Sequence, residues 1–190
     1  MCSKYIYMEQ MNDLNELLKH DVQMLHSAEE QIIAAMPAMV AAASNPRLKQ
    51  ALEEHLRVTK TQLERLNTVR QMLGANEDSV DNHAGLLSRL MGKSTKCQAM
   101  AGIITEGQKV MAEDMSPEVR DAAIIGGNQK IEHLEIASYG TARTYAEQLG
   151  LSDVAQLLQQ TLDEEYRADE MLTTLAVSGV NQRAEMGVGA

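Results

Sequence analysis

Three observations predict an all-α chain folded as an antiparallel four-helix bundle with a short additional helix on the crossover. Apolar residues recur at helical rather than alternating spacing over long segments. Proline and glycine, the residues that punctuate helices, stand mostly at the ends of those segments. The apolar set is Leu, Ile, Ala and Met, with 13 Met, no Trp and no Phe. A core without large rings suits packed helices better than sheets.

The elements follow in order. Residues 1–8 read as an N-terminal extension and 9–178 as the helical bundle. The first helical segment runs from about Glu9 to Ala43, and Pro37 inside it is expected to kink or divide it. In "SNPRL", Asn45 serves as cap and Pro46 as first position of a second segment ending near Leu73. Gly74 closes that segment. The stretch "GANEDSVDNHAGLLSRLMGKST" is a long connection, with one helical turn suggested at "LLSRLM". It leads to a short third segment, Thr95 to Glu113. Together these allow a crossover between two helical hairpins. In "MSPEV", Ser116 and Pro117 start a fourth segment that ends near Leu149. Gly150 stops it, and Ser152 is the expected cap of a fifth, Asp153 to Val177. Residues 179–190 read as a flexible tail.

Bulk properties exclude several functions. A chain of 190 residues suits one domain with one core, and 44% hydrophobic with 23% charged residues marks a globular chain. The formal charge of −10 disfavours nucleic acid as a partner. No run approaches the roughly 20 apolar residues of a membrane span. The two cysteines, Cys2 and Cys97, form no CxxC pair, which argues against a disulfide framework or a thiolate zinc site. The N-terminal stretch has no continuous apolar region of the signal-peptide kind, so the cytoplasm is the expected location.

The helical faces carry the chemistry. At about 100° per residue, the first segment has a stripe of Met11, Leu18, Val22, Leu25, Ile33, Met36 and Val40, with Glu29 in its middle. The second has Leu48, Leu52, Thr59, Leu66, Val69 and Leu73, with His55 at the centre and Gln62 two turns later. The fourth has Ile125, Gln129, Glu132, Ile136, Tyr139, Ala146 and Leu149. Glu135 lies about 60° to one side of it and His133 about 100° away. The fifth has Val154, Leu158, Leu162, Glu165, Asp169, Leu172 and Ala176, with Glu164 at its margin.

Four long helices therefore each place an ionisable group on a core-facing stripe. Burying bare carboxylates costs several kcal/mol apiece, against about 5–15 kcal/mol for a whole domain. Divalent cations would neutralise them, and carboxylate–imidazole sets in bundle cores are what iron and manganese sites use. Taken singly, each residue has an ordinary reading: Glu29 or Glu165 as a solvated flank, His55 as a hydrogen-bonded core histidine. Tyr139 reads as core with its hydroxyl on a carboxylate. Spacing alone does not choose between a metal site and a protonated carboxylate cluster.

These residues sit in stretches that resemble a known family. "HSAEEQIIAAMPAM", "EEHLRVTKTQLERL", "KCQAMAGIITEG", "RDAAIIGGNQKIEHLEIASYGTARTYAEQLG" and "LLQQTLDEEYRADEMLTTLA" resemble the YciE/YciF family of ferritin-like bacterial stress proteins. The likeness spans about Leu14 to Ala184. It implies a ferritin-like bundle with a site for two iron or manganese ions, a homodimer, and a link to general or oxidative stress. It carries the metal-ligand role onto Glu29, His55, Glu132, Glu135, Glu165 and Asp169.

The chain departs from the family pattern at Val58, where a glutamate commonly follows the helix histidine by three positions. It also departs at Met24 and His26, and His26 offers a replacement ligand or a partly exposed histidine. Glu106 matches a family residue outside the four-helix set and is expected to form hydrogen bonds.

Three functions follow as expectations. One is a non-haem di-metal protein acting on peroxide or dioxygen, with Tyr139 as a hydrogen-bond or electron donor in a catalytic role. Another is iron or manganese handling without turnover. The third is a dimeric structural stress protein whose site has degenerated. Ala123, Gly127 and Leu134, expected on the outward face of the fourth segment, suit a partner helix.

Overall fold

The computed structural model describes residues 11–74 and 96–186. The extension at 1–8, the turn at "LLSRLM" and the last four residues lie outside them. Helices α1 (Leu14–Ala42), α2 (Pro46–Met72), α3 (Gln98–Met111), α4 (Pro117–Gln148) and α5 (Ser152–Leu175) account for most of the described chain.

Local chemistry fixes the helix starts. The Asp13 side chain accepts from the Glu16 amide and caps α1. Asn45 accepts from the Arg47 and Leu48 amides, with Pro46 in the first turn of α2. Ser116 accepts from the Val119 amide at the start of α4. Gly74 and Gly150 follow α2 and α4 with φ of 73° and 71°, the left-handed conformation that ends helices. Ser152 is not the cap expected of it. It lies inside α5, which begins after Leu151 without a side-chain cap.

Pro37 does not divide α1, which is one helix of 29 residues. Its side chain is exposed. The chain also continues beyond 178: a kinked turn, Ala176–Val180, leads into α6 (Asn181–Met186). Gly179 makes that turn with φ of 136°, and Val180 is buried behind it. A flexible tail was the expectation for this stretch.

α1 packs on α2 and α4 on α5, and the two hairpins meet along α1–α4 and α2–α5. Contacts run in opposite directions along α1 and α4, where Glu29 meets Tyr139, Met39 meets Asn128 and Ser44 meets Asp121, and along α2 and α5, where Gln62 meets Glu165 and Arg65 meets Thr161. Neighbours are therefore antiparallel and diagonal helices parallel. Going from α2 to its parallel diagonal α4 requires a return along the bundle, roughly 40 Å at 1.5 Å per residue. The helix α3 that precedes α4 packs outside α1 and α4. The result is a ferritin-like antiparallel four-helix bundle. The surface offered by Ala123 and Gly127 is partly taken: both line a groove with Ile103, Gly107 and Met111 of α3.

The buried positions repeat every seven residues. In α1 they are Leu18, Leu25, Ile32 and Met39, with Val22, Glu29 and Met36. In α2 they are Leu48, His55, Gln62 and Val69, with Leu52, Thr59 and Leu66. In α4 they are Asp121, Asn128, Glu135 and Ala142, with Ile125, Glu132, Tyr139 and Ala146. This is the 3.5-residue period of helices packed side by side. It rotates the buried face away from the 3.6-residue reading. Ile32 and Met39 are buried in place of Ile33 and Val40, and Glu135 is buried as expected while Gln129 and Ile136 of the expected stripe are only partly so. Two apolar clusters form, one around Ile32, Met36, Leu52 and Ile125, the other around Leu18, Val22, Leu66 and Ala142. The ionisable residues lie between them.

Candidate metal centre

α1 supplies Glu29, α2 His55, α4 Glu132 and Glu135, and α5 Glu165. All five are buried, with Glu29, Glu132 and Glu165 fully so. His55, Glu132, Glu135 and Glu165 each offer one ligand atom within 4.8 Å of the others. A divalent ion with bonds of roughly 2.0–2.2 Å needs only a small inward shift of such a set.

The unpartnered atoms are the ones a cation would contact. His55 Nδ1 lies 3.2 Å from Glu132 Oε1. His55 Nε2, both Glu132 oxygens, Glu135 Oε1, Glu165 Oε2 and Glu29 Oε2 are buried without a hydrogen-bond donor or acceptor. Polar atoms buried in that state are rare in native proteins. Their donor types, carboxylate oxygen and imidazole nitrogen, suit iron or manganese.

Other polar side chains orient the set. The buried Tyr139 hydroxyl donates to Glu29 Oε1. Gln62 Nε2 donates to Glu165 Oε1 at 2.5 Å and to Glu164 Oε2 at 3.1 Å. Arg65 holds Glu164 through two bonds of 2.9 and 3.0 Å and also reaches Thr161 Oγ1. A chain of contacts thus runs from Arg65 through Glu164 and Gln62 to Glu165. The sequence reading left Arg65 out, although it follows Gln62 by three positions on the same helix flank.

Electrostatics follow from burial. Desolvation, then the neighbouring Glu165 charge, holds the Glu132 carboxyl well above the usual carboxylate range. Burial and then the Glu29 charge do the same for Glu135. Burial and then Glu165 raise Glu29 against the lowering effect of the Tyr139 hydrogen bond. Burial pushes Glu165 up to about 7, partly offset by the neighbouring Glu132 carboxyl and the Gln62 hydrogen bond. Burial pulls His55 down to about 4, so its imidazole is neutral at pH 7. A cation at the cluster would reverse the carboxylate shifts.

The remaining expected residues lie elsewhere. Asp169 is half-buried, 3.4 Å from the exposed His133 and bonded by Gln129 at 3.2 Å. It is not part of the four-residue set. His26 faces away from the cluster: its Nε2 lies 3.0 Å from Asn67 Oδ1. Glu106 is exposed and accepts from Lys130, tying α3 to α4. Glu54 is exposed and paired with Arg57.

A cleft of about 340 Å³ between α2 and α5 leads to the cluster, lined by Val58, Ala168 and Met171 and reaching His55, Gln62 and Glu165. A larger cavity of about 620 Å³ beside the α1–α2 turn is lined by Asn45, Arg47, Asp121 and Arg183, among others, and by no cluster residue.

Among the described residues, no helix is long and apolar enough to cross a membrane. Residues 13–185 match the family model described as a domain of unknown function, DUF892. The chain is 41% identical over 175 residues to protein YciF of Escherichia coli, covering 92% of this chain and 97% of that one. Its fold is similar to the crystal structure of the E. coli stress protein YciF, with a TM-score of 0.76 and 38% identity over 90% of this chain and 99% of that one. It is similar to YcfI of Rhodopseudomonas palustris, with a TM-score of 0.77 and 34% identity over 88% of this chain and 98% of that one. With these likenesses running through nearly every helix of the bundle, the chain belongs to the DUF892 family of YciF-like stress proteins.

Proposed function

We propose that this protein is a cytoplasmic, homodimeric stress protein whose bundle core binds iron or manganese and meets peroxide or dioxygen there. One observation carries the reading. Four buried ligand-type side chains from three helices converge within 4.8 Å, with unpartnered atoms among them. An apolar bundle of equal volume would be easier to build, so the polar layer is retained for what it binds.

His55, Glu132, Glu135 and Glu165 would hold the metal. When bound, the ion supplies a Lewis acid, and for iron or manganese an electron, to a small oxygen species. The protein's own residues do the rest. Arg65, Glu164 and Gln62 keep the Glu165 carboxylate in one orientation. The clusters around Ile32 and Leu66 exclude water on either side. The cleft at Val58 gives a small molecule a way in. Tyr139 holds Glu29 with its hydroxyl proton, and burial followed by the Glu29 charge keeps that phenol protonated.

The test is loading with Fe(II) or Mn(II), dialysis against metal-free buffer, and elemental analysis. Stoichiometric retention is expected, and its absence overturns the metal reading. A second reading, a non-enzymatic structural stress protein with a degenerate site, draws on Val58 and on YcfI, which is described as a proposed structural protein. Full retention, together with consumption of peroxide by the loaded protein, would count against it. Sedimentation tests the dimer.

A further inference from the structure

We propose that the centre holds one divalent ion per chain, because the second seat of a two-ion arrangement is missing at Val58. The inference rests on the metal-binding reading and fixes its stoichiometry. Two-ion sites in helical bundles draw six side chains from four helices: one Glu from each of two helices, and a Glu-x-x-His pair at i, i+3 from each of the others. Here α1 and α5 contribute Glu29 and Glu165, and α4 contributes the pair Glu132 and Glu135. On α2 neither position three residues from His55 offers an oxygen: Leu52 before it is buried in the apolar core, and Val58 after it lines the open cleft beside Glu165.

Gln62, two turns beyond His55, does not substitute. Its Nε2 donates to Glu165 and Glu164, so the amide presents hydrogens to the carboxylates on that side. A second cation there would find one neutral amide oxygen, Gln62 Oε1, and an alkyl side chain in place of a carboxylate. Glu29, the fourth buried carboxylate of this layer, stands outside the set of four ligand residues and has one oxygen engaged by Tyr139. What remains is a single focus of three carboxylates and one imidazole. Those four groups neutralise a divalent ion with one negative charge left over.

The experiment is a titration of the full chain with Mn(II) alone, read by equilibrium dialysis and electron paramagnetic resonance. One tightly held ion per chain with the six-line spectrum of isolated Mn(II) is expected. Two ions per chain, or the broad spectrum of an exchange-coupled pair, would overturn the proposal and leave the metal reading standing. No retained ion would overturn both. Val58→Glu places a carboxylate three residues after His55, at a partly exposed position that tolerates it. The variant is expected to take two ions per chain and to show the coupled spectrum. A folded Val58→Glu protein that still holds one would overturn the role given to Val58. The wild-type count decides the stoichiometry even if the variant fails to fold.

Discussion

Tyr139 and Glu29 are both fully buried and bonded to each other. Tyr139→Phe keeps the ring but leaves both Glu29 oxygens without a donor. Loss of about 1–3 kcal/mol is expected in urea unfolding of the metal-free protein. Glu135→Gln acts in the opposite direction. Burial and the charges of Glu29, Glu165 and Glu132 disfavour its ionised form, and a neutral amide of the same shape removes that conflict. The metal-free variant is expected to gain on the order of 1–3 kcal/mol at pH 8 while losing retention of Mn(II) on dialysis. Opposite signs for stability and binding at one position are what a ligand residue gives and a merely structural carboxylate does not. A drop in both would remove Glu135 from the proposed ligands.

At the scale of the helix, the caps and breakers were legible because each acts within four residues of itself. Asn45, Ser116, Gly74 and Gly150 do what their types imply. The buried face was less legible. A 3.6-residue stripe drifts by about 20° per seven residues against packed helices, enough over α4 to put Gln129 and Ile136 on the stripe and Glu135 beside it. Counting by sevens from Asn128 gives Glu135 and Ala142 forwards and Asp121 backwards, all buried. That count would also have found Asp121, which no motif marks. Its carboxylate accepts from the Ser44 amide at 2.7 Å and the Asn45 amide at 2.8 Å, fastening the start of α4 to the α1–α2 turn. Asp121→Ala leaves both amides unpaired at a partly buried corner, and a loss of about 2 kcal/mol is expected. Hydrogen exchange should accelerate at Ser44 and Asn45 and leave the cluster helices protected. Pro37 and the continuation past residue 178 were not readable, because both depend on tertiary context. Pro37 costs α1 less than isolated-helix rules suggest when neighbouring helices hold both sides. The turn at Gly179 depends on Val180 finding the core.

At the scale of the whole molecule, the proposed metal site would couple metal, protons and stability through one layer of side chains. The sequence showed that this layer exists, since an ionisable group recurs on four helices. It did not show that Asp169 stays at the edge, because a stripe gives direction and not depth. The consequence is a pH dependence with a definite sign. Carboxyls whose folded pKa is raised stabilise the protein fully below their unfolded value, and that stability is lost as pH rises through the folded value. For Glu165 the window runs from about 4.5 to about 7, and Glu29, Glu132 and Glu135 extend it upward. His55, lowered to about 4, works against this only below its unfolded value of 6.5, and it is one group against four. Metal-free protein in chelator is therefore expected to melt at higher temperature at pH 6 than at pH 8. Glu165 alone is worth on the order of 3 kcal/mol across its window, and each kcal/mol shifts melting by roughly 2–4 °C at this chain length. Bound metal is expected to flatten the slope, because it binds the deprotonated ligands and competes with protons for them. With Mn(II) at a hundred times its dissociation constant, the folded state gains about 2.7 kcal/mol, most of it near pH 8. Calorimetric scans at both pH values, with chelator and with Mn(II), check the two slopes together. Parallel curves would mean that the buried carboxylates are already neutralised by each other's protons and bind no cation.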